Sequence, residues 1–292
     1  LYNGSYYVIS LKPGLFNNNS KITGITIDAT NLSEIPTLCS NCANLDYVAI
    51  NNGNKNLVVN AGFIRNCPKM THVTFADVSV LGYQVINSQC TGLNHISWLS
   101  NVKDLKCRDS SGNEVALTNI ASTLPFANIK SQITEIDLDG KYVPDHLFRN
   151  MTALTTLNMY SDLEEIGKYA FTGCTSLTKF YPYYATKLKV IDDYAFNYCP
   201  IDNIFLFTSN NPLFYKIGAH AFDGYKGDKI VIECADSSHG LIIGDYAFSN
   251  SSTLNSVSLY GELGNISATA FSSCPNITDV RIETKSVWFQ TY

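Results

Sequence analysis

The sequence predicts a β-rich α/β solenoid of about eleven rungs, each roughly 23–26 residues long, a period that belongs to solenoids. Every rung would carry a short strand and a short helical turn, and the stacked strands would form one long parallel sheet. Three observations predict it. A phrase recurs at nearly constant spacing, and an apolar pattern with a period of two follows it. The 292 residues also lie near the upper limit of what one compact core supports, since such cores stop growing at roughly 250–300 residues.

The phrase is clearest in the second half. Ile166-Gly-Lys-Tyr-Ala-Phe171-Thr-Gly-Cys174 is followed by Ile191-Asp-Asp-Tyr-Ala-Phe196-Asn-Tyr-Cys199 and Ile217-Gly-Ala-His-Ala-Phe222-Asp-Gly-Tyr225. Ile243-Gly-Asp-Tyr-Ala-Phe248-Ser-Asn-Ser251 and Ile266-Ser-Ala-Thr-Ala-Phe271-Ser-Ser-Cys274 complete the series. Phe171, Phe196, Phe222, Phe248 and Phe271 therefore recur at a nearly constant period, of the length that belongs to solenoids. Phe148 extends the series backwards. Phe16, Cys39, Ile64 and Asn87 are read as earlier occupants of the same slot, with a degenerate unit around Phe126.

An aliphatic follows six residues after the slot, then apolar residues at +3 and +5 from it. Leu45/Val48/Ile50, Met70/Val73/Phe75, Leu154/Leu157/Met159 and Leu254/Val257/Leu259 are examples; Ile201/Ile204/Leu206 and Ile230/Ile232 are displaced by about one residue. A Φ-x-Φ ending has the period of a strand with one buried face. Ala-Phe-x-x-Cys-x-x-Leu places apolar residues three apart, which suits a tight helical turn with its Phe inward. No unit can bury its own apolar face, so the units stack.

The pattern Ile-Gly-x-Tyr-Ala-Phe-x-x-Cys-x-x-Leu-x-x-Φ-x-Φ resembles the BspA-like leucine-rich repeat family, strictly over 143–283 and loosely over 10–100. The resemblance implies a right-handed leucine-rich-repeat solenoid spanning 1–292 as one body. It also implies surface-exposed or secreted proteins of host-associated microbes, described as adhesins or binding proteins without enzymatic activity. A solenoid states how a surface is built and leaves open what it binds.

Between about 100 and 122 the repeat lapses. Alternation on both sides of Asp109-Ser-Ser-Gly-Asn113 reads as a β-hairpin inserted into, or replacing part of, one rung, and as an irregular, eroded repeat in preference to a projecting binding element. Tyr6-Tyr-Val-Ile-Ser10 reads as a first strand, and the apolar tail Val287–Tyr292 as a cap or as a sign that the chain is a segment. The start at Leu1, without a basic-then-apolar leader, leaves open whether a leader was removed.

Composition narrows the function. Hydrophobic residues make up 45%, which excludes disorder. Charged residues are 15%, against about 25% in typical domains; 29 Asn and 18 Tyr supply much of the missing polarity. The net charge of −5 provides no basic field for phosphate backbones, so nucleic acid is not an expected partner. No apolar run approaches the ~18 residues of a membrane span. Nucleophile elbows, zinc-protease, phosphate-loop, dinucleotide and EF-hand motifs are all missing from the sequence, and no carboxylate pair stands out. No catalytic residue, cofactor or metal site is therefore expected.

Nine Cys are present, and Cys42, Cys67, Cys90, Cys174, Cys199 and Cys274 share one repeat position. A buried free-thiol column is expected in place of a disulfide framework. Cys39-Ser-Asn-Cys42 lacks the second pair that a zinc knuckle needs. His72 and His95 occupy equivalent outward positions beside Tyr47 and read as solvated neighbours. Seven Asn-x-Ser/Thr sequons, at Asn3, Asn18, Asn31, Asn150, Asn250, Asn265 and Asn276, are about what the composition produces.

The register makes one sharper expectation. Outward positions at +2, +4 and +6 give Thr156/Asn158/Tyr160, Lys179/Tyr181/Tyr183, Asn203/Phe205/Phe207, Lys229/Val231/Glu233 and Ser256/Ser258/Tyr260. Tyr160, Lys179, Tyr181, Tyr183, Phe205 and Phe207 then form a candidate ligand-binding face, with Glu135/Asp137/Asp139 beside it. Exposed contiguous aromatics mark interaction sites. The expected partner is a protein or glycan, such as host extracellular matrix or a cell surface, met outside the cell. The alternatives are a spacer within a larger surface protein and a carbohydrate-active enzyme on a solenoid.

Overall fold

The alternating end of each repeat is where the ladder of strands forms. The computed structural model describes residues 10–54, 56–118, 124–206, 212–235 and 238–284, and the chain divides into two units, Leu1–Ile133 and Thr134–Tyr292. In the first, Gly24–Asp28, Tyr47–Asn51, His72–Phe75 and His95–Trp98 pair in parallel. Val48, Val73 and Ile96 make one fully buried row, and Ile50, Phe75 and Trp98 make the next. In the second unit Glu135–Leu138 pairs with Thr156–Met159, and Ile204–Leu206, Lys229–Cys234, Ser256–Gly261 and Asp279–Glu283 form a four-stranded parallel sheet.

The expected single long sheet is interrupted. The rung at Leu177–Tyr183 has no strand, because Pro182 stands at its second inward position. Proline donates no N–H to a ladder and is excluded from central strands, and Pro182–Tyr184 instead makes a 3₁₀ turn with Pro182 buried. Ten described strands occupy this repeat position, so the molecule has about ten turns of β-solenoid where eleven were expected. The alternation at Ile201/Ile204/Leu206 and Ile230/Ile232 is displaced because the segment from the Phe slot to the strand is one residue shorter in each, yet Ile204 pairs in register with Ile230, and Ile230 with Val257.

Each repeat also carries a second, shorter strand that the periodicity does not reveal. Tyr142–Val143, Glu165–Ile166, Val190–Ile191, Lys216–Ile217, Leu241–Ile243 and Leu263–Ile266 form a parallel sheet in the second unit. In the first unit Glu34–Ile35, Leu57–Val59, Val78–Leu81 and Lys106–Arg108 do the same, and Glu114–Ala116 closes an antiparallel hairpin onto the last. Asp109 shapes the hairpin turn, accepting from the Ser111 and Asn113 amides at 2.9 and 3.0 Å.

The expected helical turns are not helices. Residues two before and two after the Phe slot have positive φ: His146 and Asn150, Tyr169 and Gly173, Tyr194 and Tyr198, His220 and Gly224, Tyr246 and Asn250. A helix cannot propagate through left-handed residues. Tyr169, Phe171 and Gly173 instead donate their amides to Asp193, Ala195 and Asn197 of the next turn, at 3.0, 2.8 and 2.9 Å. Asn tolerates this conformation, which locates part of the high Asn content. In the first unit Asn18, Asn41 and Asn66 are left-handed, and their amides form a ladder, Asn41 to Asn18 at 3.0 Å and Asn66 to Asn41 at 2.5 Å.

The slot residues stack as a column in the second unit. Phe148, Phe171, Phe196, Phe222, Phe248 and Phe271 follow one another at ring-centroid separations of 5.3–5.6 Å. In the first unit one slot assignment needs correction. Ile86, fully buried, bridges Ile64, whereas Asn87 is half-buried beside it. The Cys positions explain themselves through hydrogen bonding. Cys42, Cys174, Cys199 and Cys274 each donate to the slot carbonyl of an adjacent turn, at Phe16, Phe148, Phe171 and Phe248, at 3.0–3.4 Å. All nine are free, and eight are buried. Burial, then Cys199, holds the Cys174 pKa well above the thiol range.

A second ring stack runs along the left-handed positions: His146, Tyr169, Tyr194, His220 and Tyr246 at 4.6–5.1 Å. Its first member is a pH-sensitive element. Burial, and secondarily Arg149, lowers the His146 pKa to about 4 from 6.5, and its Nδ1 is buried without a hydrogen-bond partner. The unfolded chain therefore binds this proton first. Stability is full above about 6.5 and is lost as the pH falls towards about 4. We expect the melting temperature to drop between pH 7 and pH 5, and His146→Phe to remove part of that drop. An unchanged pH slope in the variant would show that other groups carry it.

Candidate functional site

The strand lost to Pro182 opens a groove in the second unit. Its volume is about 470 Å³, and Leu157, Asn158, Met159 and Tyr160 line one side, with Tyr181, Tyr183 and Tyr184 on the other. Tyr181, Tyr183 and Tyr184 are 58%, 60% and 68% exposed, far from core values, and Tyr160 is 40% exposed. Tyr183 and Tyr184 hold each other edge to face at 5.2 Å, an arrangement that aromatic pairs favour. Leu157 and Met159 line the groove although both residues are nearly buried.

The neighbouring strand sets acids beside the groove. Glu135 and Asp137 stand opposite Thr156 and Asn158, and the Asn158 amide donates to both carboxylates, at 3.0 and 2.8 Å. Burial first, then Asp162 and Asp137, raises the Asp139 pKa. Burial also raises the Tyr160 pKa, with Asp137, Asp139 and Glu135 adding to it. These three acids are thus felt at the Tyr160 hydroxyl.

The sequence-predicted residues divide as follows. Tyr160, Tyr181 and Tyr183 line the groove. Phe205 is exposed on the Ile204–Leu206 strand but does not line it. Lys179 is tied to Asp202 at 2.9 Å. Phe207 lies outside the described residues, as do Leu1–Ile9 and the tail from Lys285. Tyr184 was not anticipated, because it belongs to the groove only when the chain turns at Pro182. Val231, Glu233 and Ser258 are outward by register yet buried, so the exposed face is shorter than the alternation implied.

Other candidate clusters lie in the first unit. His72 and His95 stack at 4.1 Å beside Tyr47 in the same row, and His72 Nε2 lies 2.9 Å from Ser97 Oγ. The buried Cys39, Cys42 and Cys67 sulfurs lie within 4.8 Å of one another, close enough for three thiolates to reach one soft metal ion after a small contraction. Cys42 and Cys67 already bond main-chain carbonyls, as packing thiols do. A cavity of about 550 Å³ beside the hairpin is lined by mixed residues including Val58, Ser79, Lys106 and Glu114. No helix among the described residues is long and apolar enough to cross a membrane.

The profile of the BspA type leucine rich repeat region matches six copies, over residues 4–94, 87–226 and 215–292. Among solved structures, the chain is similar to a leucine-rich repeat protein from Bacteroides ovatus ATCC 8483, with 17% identity and a TM-score of 0.42, over 88% of this chain and 64% of that one. It is similar to a leucine rich cell surface protein from Faecalibacterium prausnitzii A2-165, with 14% identity and a TM-score of 0.25, over 93% and 65%. The pneumococcal vaccine antigen PcpA matches with 11% identity and a TM-score of 0.34, over 92% and 70%. The chain thus spans less than two thirds of the length of the first two. No curated protein matches.

Proposed function

Since the chain belongs to the BspA-type leucine-rich repeat family, we propose that it is a non-enzymatic binding protein of the cell surface or extracellular space. It holds a protein or glycan partner on its strand face, through Tyr160, Lys179, Tyr181, Tyr183, Phe205 and Phe207. The observation that carries this reading is the groove itself: four tyrosines, each at least 40% exposed, gathered around about 470 Å³ of open space. Tyr supplies large contact area at low entropy cost and is enriched at interface cores. The volume falls within the roughly 300–1,000 Å³ of ligand sites.

The test is an array of glycans and host proteins probed with wild type and with the Tyr181→Ser/Phe205→Ser double variant. We expect binding to be lost while the melting temperature stays within about 2 °C, since exposed substitutions cost within about 0.5 kcal/mol each. A large fall in melting temperature would show that the rings are core. Unchanged binding would move the site elsewhere.

A further inference from the structure

The groove has a feature that aromatic exposure alone does not describe: one of its walls is an open strand edge. Thr156–Met159 pairs with Glu135–Leu138 on one side, and it is the last strand of its sheet. Thr156 and Tyr160 donate their amides towards that partner, to Thr134 and Leu138, each at 3.0 Å. In a strand, alternate residues turn their main-chain groups to opposite sides. Leu157 and Met159 therefore turn theirs to the side where the Leu177–Tyr183 rung supplies no strand, and both residues line the groove.

An unfilled edge is a template for another strand. Resting on the reading of this groove as the binding face, we propose that its occupant is an extended, Lys- or Arg-bearing peptide segment of a protein partner, which adds a strand to the Leu157/Met159 edge. Alternate side chains of that segment would stand on the same face as Asn158, Tyr160 and the Glu135/Asp137/Asp139 trio. Two strand spacings, about 10 Å in all, separate it from the acids, and Lys and Arg have long stems that reach across. Tyr160, Tyr181, Tyr183 and Tyr184 then offer ring faces to the cationic head groups. Asp162 and Asp137 add to the burial that raises the Asp139 pKa, and Asp162 itself is paired with Lys187 at 2.6 Å. The tyrosines alone would suit a sugar equally well. The edge and the acids together favour a basic peptide, because main-chain pairing supplies affinity and alternate pockets supply specificity in strand addition.

The test is selection of random displayed peptides on the full chain, followed by calorimetric titration of the selected sequences as synthetic peptides. We expect the selected pool to be several-fold enriched in Lys and Arg at alternate positions. N-methylation of alternate amides keeps the charge but removes the pairing donors, and should weaken binding by about tenfold or more. Asp137→Asn/Asp139→Asn should weaken binding and flatten its salt dependence, and Tyr183→Ser should weaken it with the fold intact. A pool with no basic enrichment, an empty selection, or N-methylated peptides that bind equally well would each overturn the proposal. A glycan held by the same tyrosines with no peptide selected would do so too, while leaving the broader binding reading in place.

Discussion

Phe196→Ala should destabilise the protein by about 3–5 kcal/mol, the cost of emptying a fully buried aromatic site. Phe196 is fully buried, and three rings lean on it. Phe171 and Phe222 stack on its two faces, each at 5.3 Å and with interplanar angles of 5° and 9°, and Phe180 meets it edge-on at 5.2 Å. Neighbouring turns cannot collapse into the void, because the amides on either side are fixed: Phe196 donates to Ala221 and Phe171 to Ala195, each at 2.8 Å. In a stacked array the loss acts through nearest neighbours. Phe271 is half-buried and stacks on Phe248, so Phe271→Ala should cost clearly less. Urea unfolding of both variants checks this, with a broadened or split transition at Phe196→Ala as a sign that the turns uncouple there. Equal costs at the two positions would mean that the column does not work as a stack.

The column was legible because a ring recurring from Phe148 to Phe271 once per repeat has no local use and must meet its own copies. The short strands at Glu165–Ile166 and Val190–Ile191 were not, since two residues leave no period to detect. The helical reading of the Ala-Phe-x-x-Cys stretch failed for a related reason. Apolar spacing of three fits any tight turn, and conformation there is decided by left-handed residues such as Tyr169 and Tyr194, which nothing in their side chains announces. Asn150 and Gly173 two residues after the slot were the available signal, since both residue types favour positive φ.

At the site, strand alternation correctly placed Tyr160, Tyr181 and Tyr183 on the surface, and register placed Glu135 and Asp137 beside Asn158. The groove was hidden in Pro182. A proline inside an apparent strand demotes it, and at this position it converts a flat aromatic face into a concavity with an open edge. The burial of Val231 and Glu233 lay beyond reach, because alternation reports the side of a sheet and says nothing of what covers that side.

Tyr225→Cys should destabilise the protein by about 3 kcal/mol or more, although it restores the residue that most repeats carry, because it deletes a buried aromatic ring. Ile230 pairs with Val257. Counting back three residues puts Gly227 where the other turn has Leu254, so this repeat has lost its aliphatic side chain. The Tyr225 ring, fully buried and edge-on to Phe248, fills that volume. A Cβ at Gly227 would collide with Tyr225 Oη and Cζ and with the Asp202 main-chain carbonyl. The hydroxyl donates to the Lys229 carbonyl at 2.7 Å, so Tyr225→Phe alone should cost about 1 kcal/mol through that lost bond. The preceding turn shows the alternative solution at the same shortened spacing, Cys199 with the buried Ile201. Tyr225→Cys/Gly227→Ile should recover little of the stability that Tyr225→Cys loses, because the Asp202 carbonyl still meets the new side chain once the ring is gone, and a double-mutant cycle reads the coupling directly. A double variant as stable as the wild type would show that the Asp202 carbonyl yields and does not bar a side chain at position 227.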